Sequence, residues 1–139
     1  MSASNPKLLK DADLIITKAL PNGAASTATD GIDLGHGANG DWLADVEFEV
    51  SAPALTTAEQ PDDKTMTYII EHDTDSAFGS AATLIDRVIV QTGAGGAGAD
   101  AATKRVRLPS DCNRYIRLKA TGSATGNSST KSMTLTALT

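Results

Sequence analysis

The chain has 139 residues, 40% of them apolar and 21% charged, which gives room for one hydrophobic core and not two and lies far from the low-hydrophobicity, high-charge signature of disorder. A net charge of -5 argues against a general nucleic-acid binder, and the single Cys112 excludes an internal disulfide and any multi-cysteine metal site. No stretch approaches the roughly 18 apolar residues of a membrane helix, and the start Met1-Ser2-Ala3-Ser4-Asn5-Pro6 lacks the apolar segment of a secretory signal, so the expectation is a soluble chain that stays in the cytoplasm and binds no membrane.

In chain order, residues 7–20 come first. Leu8, Leu9, Leu14, Ile15 and Ile16 fit a helix or an extended chain, but the β-branched run Ile15, Ile16, Thr17 favours an extended N-terminal arm over residues 1–12 leading into a strand at 13–19. A short strand follows at 31–34. The clearest strand is 42–50, where Trp42, Ala44, Val46, Phe48 and Val50 point one way and Asp45, Glu47 and Glu49 the other. Further strands are expected at 64–72, 84–92, 104–108, 114–120 and 131–138, separated by turns rich in Gly, Pro, Asp and Ser. About eight short strands with no helices between them make an all-β, single-domain antiparallel β-sandwich over residues 13–139. Jelly-roll and immunoglobulin-like connectivity both fit the spacing. The expected core holds Trp42, Val46, Phe48, Ile116, Leu118 and Leu135.

Charge is divided unevenly: residues 1–103 carry 5 Lys/Arg against 16 Asp/Glu, and residues 104–139 carry 7 against 1. On the two late strands Arg105 and Arg107 share one face, and Arg117 and Lys119 share another with Tyr115. Read as a hairpin, these strands gather four cations on one exposed surface. Like charges that close need acidic neighbours, either an internal ladder with Asp45, Glu47 and Glu49 or a partner. The strand at 84–92 carries apolar residues on both parities, with Leu84, Val88 and Val90 on one face and Ile85 and Ile89 on the other. Apolar residues on both faces mean either that the strand is covered on both sides or that it contributes to a contact between chains, and the expectation is self-association, as a dimer or trimer, through Ile85 and Ile89.

Candidate chemistry fails on context. Gly93-Ala94-Gly95-Gly96-Ala97-Gly98 matches the dinucleotide string G-x-G-x-x-G, yet only about ten residues separate it from Pro109 and most of the second half of that span reads as strand, leaving no helix to face a pyrophosphate. Asp73 and Asp75 are a possible cation pair without the glycine and distal glutamate of a calcium loop, and read better as an Asp-rich turn capping backbone N–H groups. His36 and His72 are too few for a cupin-like metal centre. Cys112 has no nucleophile signature around it. The reading is a protein with no cofactor and no enzymatic activity.

Three stretches occur in the order Ala25-Ser26-Thr27-Ala28-Thr29-Asp30-Gly31-Ile32-Asp33-Leu34-Gly35, Glu71-His72-Asp73-Thr74-Asp75-Ser76-Ala77-Phe78, and Arg107-Leu108-Pro109 leading to Arg114-Tyr115-Ile116-Arg117-Leu118. With them the chain resembles the small jelly-roll cement, or decoration, proteins of tailed double-stranded DNA bacteriophages, from about Leu20 onward. That resemblance implies a structural virion protein on the capsid exterior that bridges subunits of the major capsid protein and stabilises the shell. Arg105, Arg107, Arg117, Lys119 and the N-terminal arm are then the expected contacts. The rival reading is a β-sandwich receptor-binding module such as a tail-fibre or adhesin domain. Neither involves nucleic acid.

Overall fold

The computed structural model of the chain describes residues 10–35, 47–123 and 125–138. The expected arm up to residue 9, His36, and the expected strand residues Trp42, Asp45 and Val46 lie outside them.

The described residues form nine strands and no helix: β1 (Lys10–Ala19), β2 (Ser26–Ala28), β3 (Ile32–Asp33), β4 (Glu47–Ala52), β5 (Thr65–Asp73), β6 (Ala82–Thr92), β7 (Ala102–Arg107), β8 (Tyr115–Gly122) and β9 (Ser132–Leu138). Alternation dictates each of the central ones. In β8 Ile116, Leu118 and Ala120 are buried, as are Met66, Tyr68 and Ile70 in β5, Phe48, Val50 and Ala52 in β4, and Met133, Leu135 and Ala137 in β9. Burying a large aliphatic or aromatic side chain stabilises by about 1.5–3 kcal/mol, so these interleaved rows supply the sandwich's main driving force. Phe48, Ile116, Leu118 and Leu135 stand in the core as the alternation requires.

Connectivity settles the choice between sandwiches. β5 pairs with β6, β4 with β7, β2 and β3 with β8, and β1 with β9, all antiparallel, which is one long hairpin of nested pairs. Rolling it up sets β9 beside β4 and β8 beside β5. The result is two sheets, β1-β9-β4-β7 and β2-β8-β5-β6, with β3 continuing β2 along β8. The chain is a jelly roll. Counting β2 and β3 as one strand interrupted at Thr29-Asp30-Gly31 gives the eight positions of that fold. The interruption is bonded rather than open, since Thr29 N–H donates to the Leu118 carbonyl and Thr29 Oγ1 accepts from Leu118 N–H.

One end of the core is polar and, Gln60 Oε1 excepted, hydrogen-bonded. The Tyr68 hydroxyl donates to Gln91 Oε1 at 2.7 Å, and Gln91 Nε2 donates to the carbonyls of Pro53 and Asp100. Gln60 Nε2 reaches the Gln91 and Lys64 carbonyls. Burial in this setting pushes the Tyr68 phenol well above its ordinary pKa, which keeps it a neutral donor.

β6 departs from simple alternation. Tyr68 pairs with Ile89 and Ile70 with Ile85, so four steps on β6 answer two on β5, and Arg87 takes φ 50°. The two extra residues leave the parity unchanged, so Ile85 and Ile89 stay on one face; the single extra residue between the Ile70/Ile85 and Glu71/Thr83 pairs is the one that reverses the phase. Ile89 is 7% exposed within the core, and Ile85 packs against it half-buried, so both face inward. The expected outer apolar face of Ile85 and Ile89 does not exist, and the argument for self-association through it falls with it.

Candidate interaction surface

The late cations are divided between the two sheets. β7 is an edge of the β1-β9-β4-β7 sheet and β8 a central strand of the other, so Arg105 and Arg107 lie on one outer face of the sandwich and Arg117 and Lys119 on the opposite one. They do not gather on one surface. A hairpin was the wrong inference because in a jelly roll the segment after β7 crosses from one sheet to the other.

Each pair is engaged within the chain. Glu47 and Glu49 stand opposite Arg107 and Arg105 in the β4/β7 register, with Arg107 Nε 3.0 Å from Glu47 Oε2 and Arg105 Nε 3.6 Å from Glu49 Oε2. The ladder of Glu47 and Glu49 that the sequence offered is therefore present for β7. For β8 the acid is one the sequence reading did not connect: Arg117 Nε donates to Glu71 Oε1 at 2.8 Å and Lys119 Nζ lies 3.7 Å from Glu71 Oε2. Glu71 is only 6% exposed, although it points to the outer face. The Arg117 guanidinium is itself stacked over Phe78, 4.5 Å from the ring centroid.

The loop between β5 and β6 is fastened over that face. Asp73 accepts hydrogen bonds from the Ser80 and Asp75 N–H groups, which hold its carboxyl below the usual range, and Asp75 Oδ1 accepts from Ala77 N–H. The two aspartates thus act as backbone caps. Phe78 adopts φ 53°, unusual for a bulky side chain, and its ring edge occupies the space where a Cβ on Gly31 would lie, 2.6 Å away. Behind this layer His72 Nδ1 accepts from Asn113 N–H at 3.0 Å. Cys112 is buried, its Sγ–H directed to the Asn113 carbonyl, and burial together with the Asp111 charge pushes the thiol up to about 11.

With the charges tied down, the sheet edges decide what the surface can bind. An unpaired edge is a row of free N–H and C=O groups, and folded proteins blunt such rows with charge, bulges or brevity. β7 carries Lys104, Arg105 and Arg107; β6 is bulged and exposes Asp86 and Arg87; β2 and β3 are three and two residues long. β1 runs ten residues, but its pairing with β9 is shifted between Lys10 and Ile15, where five steps on β1 answer two on β9, and is regular over Ile15–Ala19; no described strand lies along its other side, and the Ala19 carbonyl accepts from Thr27 Oγ1. Leu14 and Ile15 on it are 38% and 44% exposed. Beside them a groove of about 290 Å³ opens between the edges of the two sheets, lined by Leu14, Ile15, Ile16, Gly31, Ile32 and Asp33. At its rim Asp33 accepts two bonds from Arg114, Nε at 2.8 Å and Nη2 at 3.0 Å; with the Gly35 N–H, these hold its carboxyl below the usual range.

No protein-family model and no curated protein matches the sequence. Among solved structures, the chain is similar to one from naturally occurring empty particles of cowpea mosaic virus, the top component, at a TM-score of 0.45 and 9% identity over 98% of this chain and 84% of that one. It is also similar to one from an empty virus-like particle of cowpea mosaic virus, at 0.44 and 7% identity over 99% of this chain and 82% of that one. A likeness of that extent bears on neither the partner nor the activity of this chain.

The β1 edge was within reach of the sequence. Leu14-Ile15-Ile16 places apolar residues on both parities of a strand, and one parity is left facing outward. The same signature at 84–92 has a different outcome: Ile85, Val88 and Ile89 pack into or against the core and Val90 stays 45% exposed. Periodicity alone does not separate the two cases.

Proposed function

We propose that this chain is a structural, non-catalytic protein that binds the outer surface of a phage capsid, bridges subunits of the major capsid protein and stabilises the shell. Its sequence resemblance to phage cement proteins supports the role, and the jelly-roll fold is compatible with it. The observation that carries the contact is the exposed pair Leu14 and Ile15 on β1, beside the groove they line with Ile16 and Ile32, on a molecule whose late cations are already engaged by Glu47, Glu49 and Glu71. A cement role needs no pocket, because many modest contacts on a repeating lattice add through avidity. The test mixes purified protein with expanded, undecorated capsids of its parent phage and follows co-sedimentation and capsid melting. Binding that raises the melting temperature is expected; protein that neither sediments with capsids nor shifts their melting refutes the role.

A further inference from the structure

We propose that Asn22 is a deamidation site gated by the fold: it is unreactive while the Gly23 N–H is bonded, and is converted, when that segment opens, to an isoaspartate that cannot re-form the bond. The inference is independent of the capsid-binding reading. Asparagine followed by glycine is the pair in which the next backbone nitrogen reaches the side-chain amide most readily, because glycine has no Cβ to shield it. In the reaction the Gly23 nitrogen gives its proton to hydroxide and attacks Asn22 Cγ. The new N–C bond forms, the Cγ–Nδ2 bond breaks, and Nδ2 takes a proton from water and leaves as ammonia. One water then opens the succinimide ring at either carbonyl, giving aspartate or isoaspartate. Water and hydroxide are the only co-reactants, and Asn22 is exposed to them.

The fold occupies the nucleophile. Past the end of the β1/β9 ladder, backbone bonds continue from Leu20 N–H to the Lys131 carbonyl at 2.9 Å, from Ser128 N–H to the Pro21 carbonyl at 3.3 Å, and from Gly23 N–H to the Gly126 carbonyl at 3.1 Å, with Asn22 opposite Asn127 in an antiparallel bridge. The Gly23 carbonyl is held as well, accepting from Thr125 Oγ1 at 3.1 Å and from Ala25 N–H at 2.9 Å, and Gly23 takes φ 73°. A nitrogen whose proton is in a hydrogen bond, in a residue bonded at both its N–H and its C=O, is not free to turn onto Cγ, so attack waits for this rung to open. Asn127 across the bridge is followed by serine, and its Oδ1 already accepts from Ser129 N–H, which leaves Asn22 as the reactive member. Isoaspartate routes the main chain through the former side chain and lengthens it by one carbon. The Gly23 N–H then falls out of register with Gly126, whereas aspartate keeps the spacing.

The experiment incubates wild type in mild alkali, folded and in urea, and follows Asn22 by mass spectrometry on peptides cut between it and Asn39, which begins the chain's other Asn-Gly pair. Deamidation of Asn22 is expected to run at least about tenfold slower in the folded protein, and folded and unfolded rates within about twofold of each other overturn the gating. The aged chain is then separated into its aspartyl and isoaspartyl forms and refolded. The isoaspartyl form is expected to melt below wild type, and the aspartyl form, checked against an Asn22→Asp variant, to melt close to it. Equal melting of the two forms overturns the claim that backbone lengthening breaks the rung. The rate comparison uses unaltered protein and decides the gating whatever the variant does.

Discussion

Replacing Gly98 by alanine tests why the loop between β6 and β7 carries so many glycines. A Cβ at Gly98 would lie 2.0 Å from the Leu55 carbonyl oxygen and 2.6 Å from the Thr56 carbonyl carbon, both backbone atoms that no rotamer change relieves. Gly95 has a similar φ, +63° against +72°, but nothing within 4 Å of its Cβ position. The pair therefore separates conformational strain from collision. Alanine in the left-handed region costs about 1–2 kcal/mol, partly offset by about 0.4–1 kcal/mol from the stiffer unfolded chain, so Gly95→Ala loses about 1 kcal/mol. Gly98→Ala must also push the Leu55 backbone away. That breaks the bridge in which Leu55 and Ala99 exchange two bonds of 2.8 and 2.9 Å, at about 1 kcal/mol each. Partial unseating of the buried Leu55 side chain adds about another 1–2 kcal/mol. The expected total is about 4 kcal/mol, which at a urea m-value of about 2 kcal/mol/M moves the unfolding midpoint down by about 2 M, against about 0.5 M for Gly95→Ala. Urea titration followed by far-ultraviolet circular dichroism reads both. Two variants within about 1 kcal/mol of each other would refute the close-approach argument.

Phe48→Ala, at a side chain 1% exposed, is expected to cost about 3–5 kcal/mol in the same titration, and a loss under about 1 kcal/mol would remove it from the core. The Cys112 thiol, buried and pushed up to about 11, should be inert to a thiol-titrating reagent in the native protein near pH 8 and react fully in denaturant; rapid native reaction contradicts its burial. Acid should weaken the fold through Glu59, whose carboxyl is lowered from 4.5, first by the Thr56 N–H it accepts from and then by Lys131. The unfolded state takes up this proton first, so the contribution is complete well above 4.5 and fades as pH falls below it. Glu59→Gln should flatten that part of the stability curve, and an unchanged slope would count against the assignment. Charge reversal in Arg105→Glu/Arg107→Glu sets four acids in opposed pairs across β4 and β7 and should destabilise measurably, more at low salt than at high.

The sandwich was legible because burial is two-sided and periodic. Phe48 with Val50, Ile116 with Leu118, and Leu135 each signal an inward row that no helix could accommodate. Connectivity was not, since it depends on which strands meet after the long hairpin rolls up, and that information is spread over loops. The same gap produced the false hairpin of Arg105, Arg107, Arg117 and Lys119: adjacent in sequence, their strands belong to different sheets. Strand β2 escaped notice because Ser26, Thr27 and Ala28 carry no alternation; the edge is fixed by pairing with Lys119, Ala120 and Thr121. The bulge at Arg87 escaped because no residue there demands a left-handed φ. Glu71 opens one of the three stretches that carry the resemblance, yet its role needed the register that sets it beside Arg117.

The nested pairing has a consequence for the time course of folding. β9 lies between β1 and β4, and β8 lies between β2 and β5, so the two strands made last are central in their sheets. A nascent chain that has emerged as far as β7 has the hairpins β5/β6 and β4/β7 but not the strands that complete either sheet, and β1 has no partner strand among the described residues until a segment more than 110 residues away arrives. Such non-local closure makes folding slow, on the order of milliseconds to seconds, and leaves little room for partly folded domains. Premature termination before β8 therefore yields no smaller stable version of the protein, only a chain with apolar rows still uncovered.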